Sequence, residues 1–367
     1  MKRYVSTRIR SLTKSGDITM TRSALLILGL ILACVAASPP PARGAACADP
    51  NSPPFLRNAQ LLTTYYDPNP ANHNALPSGS GPLPDPYCAS LRDAYYAASK
   101  SMSAPFQQQL DALTNVFIDT TGNCANPAAC SQNAWGFRDT ATNKTYVAIP
   151  AGLWDQSNQL PTYSQFEAYL ASALLGNIPI ANLPITITPN SGANTQTMTV
   201  LAALAHEMGH IEWWWKFPLG PSTGGLYYFQ CLVPSLPTYF ADITWSSYAN
   251  NYRFHYFGLE RFGNVTEDGV DKKKLKNDLG NATLKNADLK QIYNGKWASI
   301  FATVAPDEDF VETYKLWALT TAQNQPLTSL TISWQGSSAD VVSFLNSAST
   351  KLYKKRQWIQ TCLAPWP

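Results

Sequence analysis

Histidine is scarce in this chain, with four in 367 residues. Excess charge is missing too. Residues 1–46 hold seven of the 27 Lys/Arg and one of the 24 Asp/Glu, so the remainder carries 20 basic against 23 acidic residues, a net of −3. That balance excludes the basic footprint needed for nucleic acid or an anionic membrane surface. The apolar run at 24–37 has fourteen residues, too short to cross a bilayer comfortably, so no stable membrane span is expected. There is no G-x-S-x-G nucleophile turn, no Cys pair at zinc-ribbon spacing and no internal repeat.

What is present begins with an export signal. A basic stretch ending at Arg22 precedes the apolar run, followed by prolines and the small residues Gly44, Ala45 and Ala46. Met20 is an alternative start that gives the signal ordinary length. A lipoprotein reading at Cys34 fits less well, because that Cys lies inside the apolar run. Six further cysteines remain, Cys47, Cys88, Cys124, Cys130, Cys231 and Cys362. An even number after an export signal implies disulfides and a secreted or periplasmic protein. Cys124 and Cys130 flank a short loop and form the expected local pair; the other pairings stay open.

Two of the four histidines stand in His206-Glu207-Met208-Gly209-His210. On a helix, positions four apart share a face, so both imidazoles can address one ion. Glu207 is placed to reach a water on that ion. This is the HExxH arrangement of zinc metallopeptidases. Val200, Leu201, Leu204, Ala205 and Met208 recur at helical spacing, which predicts a buried helix starting near Thr197. Gly209 between the histidines lets another backbone segment come close. Glu212 is out of place, a charge where such helices are usually apolar.

Around this helix the chain reads as α+β. Residues 38–88 read as a Pro/Asn-rich extended wrap, and His73 within it as a loop residue. Residues 89–119 read as helix in one or two pieces, 134–154 as a β-hairpin with its turn at 139–144, and 163–175 as an apolar-faced helix. Residues 179–188 read as strand or loop. The 145–149 segment is the candidate edge strand beside the site. Residues 226–262 are rich in Tyr, Phe and Trp, which serves lobe packing or, less simply, a sugar-stacking groove. Residues 265–293 read as surface helices and loops, and 338–359 as one last helix whose Lys354-Lys355-Arg356 end is solvated. The domain reading is a signal peptide (1–46), the extended segment (47–88), an upper lobe with the HExxH helix (89–215), and a mostly helical lower lobe (216–367).

Two imidazoles are too few for a catalytic zinc, which takes three protein ligands and leaves a place for water. No His follows His210 until His255. Instead, Pro306-Asp307-Glu308-Asp309-Phe310-Val311-Glu312-Thr313 marks a helix start with two glutamates four apart. HExxH followed by such a helix resembles the gluzincin metallopeptidases, and P-x-E-D-F-x-E-T is similar to a subset including anthrax-lethal-factor-like secreted bacterial peptidases. The resemblance covers these two motifs and their order. It implies a zincin-like fold with a mixed-sheet upper lobe, one Zn²⁺ held by His206, His210 and Glu308, Glu312 behind a ligand His, and Glu207 as general base. One position departs from the pattern. A Tyr usually stands seven residues before the ligand Glu to support the oxyanion, and here it is Phe301. His255, Tyr256 and Tyr293 are the candidate replacement donors.

The expectation is therefore a zinc metalloendopeptidase acting on protein or peptide substrate. The alternative is a zinc-binding secreted protein or toxin-like effector on a peptidase scaffold with weak or no general proteolysis.

Overall fold

A computed structural model describes residues 47, 49–63, 76–101, 105–120, 134–139, 142–154, 159–175, 178–216, 231–244, 266–267, 270–271, 286–303 and 306–363. The expected export signal, His73, the Cys124–Cys130 pair, His255 and Tyr256 lie outside these residues.

The first half of the chain builds a mixed sheet. Helix α1 (Pro54–Arg57) leads into β1 (Ala59–Leu62), and β2 (Gly79–Ser80) turns back on it. Helices α2 (Tyr87–Ala97) and α3 (Phe106–Asp111) follow, then β3 (Asn115–Asp119), β4 (Trp135–Arg138) and β5 (Thr145–Pro150). The strand order is β2-β1-β3-β5-β4. β1, β3 and β5 run parallel, with Phe117 opposite Gln60 and Ala148; β2 and β4 are antiparallel at the two ends. β5 is buried along its whole length, as a strand with neighbours on both sides and cover on both faces must be.

The predicted hairpin at 134–154 forms as β4 and β5, but the edge is corrected. The 145–149 segment pairs on both sides, and β4 is the outer strand among the described residues. Two other expectations change. Residues 115–119 form a central strand, not helix: Val116-Phe117-Ile118 is a short apolar run, which periodicity cannot assign. Residues 54–62, read as extended wrap, join the core because β1 pairs with β3 and the Cys47–Cys88 disulfide ties its start to α2.

Helix α4 (Tyr163–Leu174) begins at a capping box in which Thr162 and Gln165 satisfy each other's backbone N–H groups. After β6 (Thr186–Pro189) comes α5 (Gln196–Lys216), the predicted HExxH helix. It is buried nearly all round: Val200, Leu201, Leu204, Ala205, Met208 and Ile211 are all fully enclosed. The short pair β7 (Thr266–Glu267) and β8 (Val270–Asp271) and helix α6 (Asn286–Ile292) precede α7 (Pro306–Thr320). Pro306 opens α7, and Asp307, Glu308 and Asp309 fill its first turn, where the helix dipole favours acids.

The predicted final helix divides. Strands β9 (Leu330–Trp334) and β10 (Ser337–Asp340) form a second antiparallel sheet with β6, then α8 (Val341–Asn346) and α9 (Lys351–Cys362) follow. Thr350 caps α9 by accepting from the Tyr353 N–H. Lys355 is not at a solvated end. It is fully buried, donates to Asp309 at 2.7 Å and to the Lys296 carbonyl at 2.7 Å, and lies 4.3 Å from the Trp297 ring centre. Cys362, at the end of α9, is bonded to Cys231. The result is an α+β architecture with a mixed sheet.

Candidate metal centre

α5 and α7 cross at Gly209. A Cβ there would lie 3.1 Å from the Val311 Cα and 3.3 Å from its Cγ1. The missing side chain lets the two backbones approach, and that approach brings Glu308 to the histidines. The Glu308 carboxylate lies 3.8 Å from His206 Nε2 and 3.7 Å from His210 Nε2. One ligand atom from each of the three residues falls within 4.8 Å of the others. Metal–ligand bonds of about 2.0–2.2 Å in a tetrahedral site separate ligand atoms by about 3.4 Å; the two nitrogen–oxygen distances, each to a different oxygen of Glu308, are a few tenths longer. Two nitrogens and a carboxylate oxygen form a donor set suited to a divalent ion, so these residues fit the group the sequence implies.

The far side of His206 is also held. Its Nδ1 lies 2.8 Å from Glu312 Oε1, which leaves Nε2 directed at the shared centre. The second oxygen of Glu312 accepts from the Ser299 hydroxyl and lies 2.9 Å from the Lys315 ammonium. Lys315 in turn lies 3.0 Å from Glu167 on α4. Burial opposes charge on Glu312, but Lys315 and His206 together hold its carboxyl far below the usual carboxylate range.

Glu207 is buried and accepts from the Gly136 backbone N–H on β4. Burial pushes its carboxyl up to about 7, against the pull of His206 and the Gly136 N–H. Gly136 is required for this packing, since a Cβ would meet the Glu207 carbonyl oxygen at 2.6 Å. Burial lowers the His206 pKa, but the Glu312 hydrogen bond and the charges of Glu207 and Glu308 overcome it and raise it to about 9. Burial, with His206 beside it, drives His210 well below the usual range. Burial raises Glu308 as well. The centre thus retains protons near neutral pH where a divalent ion would compensate its carboxylates.

No family model, curated protein or solved structure matches this chain.

The structure therefore brings together His206, Glu207, His210, Glu308 and Glu312, from two helices about a hundred residues apart. Tyr293 is buried in a small cavity with Glu167, Glu312, Lys315 and Phe301, a cavity whose lining includes neither histidine, nor Glu207, nor Glu308. Burial, then the charges of Glu167 and Glu312, raise its phenol above the ordinary range. Phe301 stands in a 3₁₀ turn, Phe301–Thr303. Glu212 is explained by a buried network: Gln109 Nε2 donates to it at 3.2 Å, and the Tyr314 hydroxyl donates to the other end of Gln109. Sequence reading missed Ser299, Lys315, Glu167 and Gly136. Lys315, three residues beyond Glu312 on one helix, was accessible as an i,i+3 ion pair. Glu167 sits 148 positions from Lys315 and carries no such signal.

Proposed function

We propose that this chain is a zinc-dependent metallopeptidase of zincin-like fold that works in an oxidising compartment outside the cytoplasm. The observation carrying this reading is the convergence of His206, His210 and Glu308 beside the buried carboxylate of Glu207. Zinc, when bound, supplies Lewis-acid polarisation of the scissile carbonyl and acidifies a water.

The chain's own residues do the rest. Glu207 takes the proton of the attacking water and returns it to the departing amine nitrogen, so no covalent acyl-enzyme is needed. The Gly136 N–H fixes the Glu207 carboxylate in place. Glu312 holds His206 by its Nδ1–H and so fixes the tautomer that presents Nε2. β4, which pairs with no strand but β5 among the described residues, offers an edge beside Glu207 to which an extended peptide can add as another strand. The two observed disulfides fit an oxidising compartment, and no described helix is long and apolar enough to cross a membrane.

Phe301 favours a second reading, a zinc-binding protein or toxin-like effector with little general proteolysis. An oxyanion donor is worth about 10²–10³ in rate, and a Phe has none to give. One experiment separates the two. Zinc content and cleavage of a mixed peptide library are measured for wild type and Glu207→Ala. The peptidase reading expects equal zinc and a loss of about 10²–10⁴ in rate in the variant. Equal zinc with negligible turnover by both proteins selects the second reading, and absence of zinc from both rejects each.

A further inference from the structure

Behind the metal centre lies a chain of buried charges that the reaction itself does not use. It runs from Glu167 to Lys315 to Glu312 to His206, at 3.0, 2.9 and 2.8 Å. Three elements contribute: α4 gives Glu167, α7 gives Glu312 and Lys315, and α5 gives His206. Each member is almost wholly enclosed except the imidazole, whose other face turns to the shared centre. Glu167 is fixed further by the Tyr163 hydroxyl, which donates to it.

The geometry constrains one atom at a time. A carboxylate has two oxygens, and free rotation would let either face His206. Lys315 and the Ser299 hydroxyl both engage Oε2 of Glu312, leaving Oε1 to face the imidazole. Lys315 has a long, flexible stem, and Glu167 fixes where its ammonium rests. An ammonium enclosed here with Glu312 alone would have one acceptor; with Glu167 it bridges two helices. Glu167, Lys315, Glu312 and Ser299 also line the small cavity that holds Tyr293, about 20 Å³, room for about one water.

We propose that Lys315 and Glu167 are positioning residues for the metal centre, acting through Glu312 to hold His206 with Nε2 presented to the ion. This rests on the metal-site reading above. Loss of an outer partner of a metal-binding His typically weakens metal affinity about 10- to 100-fold. Lys315→Met is expected to fall in that range for Zn²⁺, and Glu167→Gln to show a smaller loss in the same direction.

The test is Zn²⁺ affinity by competition with a chelator, for wild type, Lys315→Met, Glu167→Gln, Glu312→Gln and the Lys315→Met/Glu312→Gln pair. Action through Glu312 requires non-additivity: on the Glu312→Gln background, Lys315→Met changes affinity less than about twofold. Full additivity overturns the proposal, as does unchanged affinity in Lys315→Met. ¹⁵N histidine spectra of the metal-free proteins supply a readout that general destabilisation would not produce. The Nδ1–H resonance of His206 is expected to shift or broaden in Lys315→Met and in Glu167→Gln while that of His210 stays. Should Lys315→Met fail to fold, Glu167→Gln decides by the same two measurements. Absence of Zn²⁺ binding by folded wild type removes the metal-site reading itself, and is distinct from wild-type binding that the variants leave intact.

Discussion

Gly209 and Val311 meet closely enough that a methyl group on the glycine would sit 3.1 Å from the Val311 Cα. The contact is with backbone, which cannot swing aside as a side-chain tip can. It is also one residue from His210 and three from Glu308, so what separates the helices separates the ligands.

Gly209→Ala is therefore expected to part α5 from α7 despite the better helix propensity of alanine. Overpacking of this kind costs about 1–3 kcal/mol, against about 1 kcal/mol gained from propensity. Chemical denaturation with and without Zn²⁺ checks it. The variant should lose more stability in the metal-loaded state than in the metal-free state, because the ion demands the close approach.

Zn²⁺ binding is expected to release protons. His206, raised to about 9, carries a proton below that pH, and burial raises Glu308 in the same sense. The ion displaces what these groups hold, so affinity falls as pH falls, by about tenfold per unit for each proton released. It levels off above about pH 9. Calorimetry at pH 7 in buffers of different ionisation enthalpy measures the count directly, and a pH-independent affinity between 6 and 8 would contradict the assignment.

Lys355→Met is expected to be severely destabilising, because it leaves the fully buried Asp309 without its cation. Removing one partner of such a pair costs about 3–5 kcal/mol, whereas replacing both with apolar groups of similar volume is often near neutral. Thermal or urea unfolding of Lys355→Met beside the Asp309→Leu/Lys355→Met pair checks this. The double variant should recover most of the loss.

The candidate site was largely legible because a shared ion would impose short-range spacing on its ligands. Two histidines one turn apart and two glutamates one turn apart can be read from the chain, and the structure juxtaposes them. Gly209 was legible for the same reason, as a residue without a side chain between two that need a common neighbour. The sheet was less legible. Val116, Phe117 and Ile118 carry no period that separates strand from buried helix, and their identity as the central strand depends on β1 and β5, contributed by distant segments. Lys355 was misread because its local company, Lys354 and Arg356, is that of a solvated surface; the acid that draws it inside is 46 residues away. Long-range partners of this kind leave no local trace.

The Lys355–Asp309 pair and the Cys231–Cys362 link have a consequence for redox sensitivity. The residue next to Glu308 is anchored by α9, and a covalent bond fastens that helix only under oxidising conditions. Reduction of that bond leaves the crossing of α5 and α7 at Gly209 in place but loosens the helix that supplies the cation for Asp309. The seating of the Glu308 carboxylate is thereby tied to the thiol chemistry of two cysteines that lie outside the cluster.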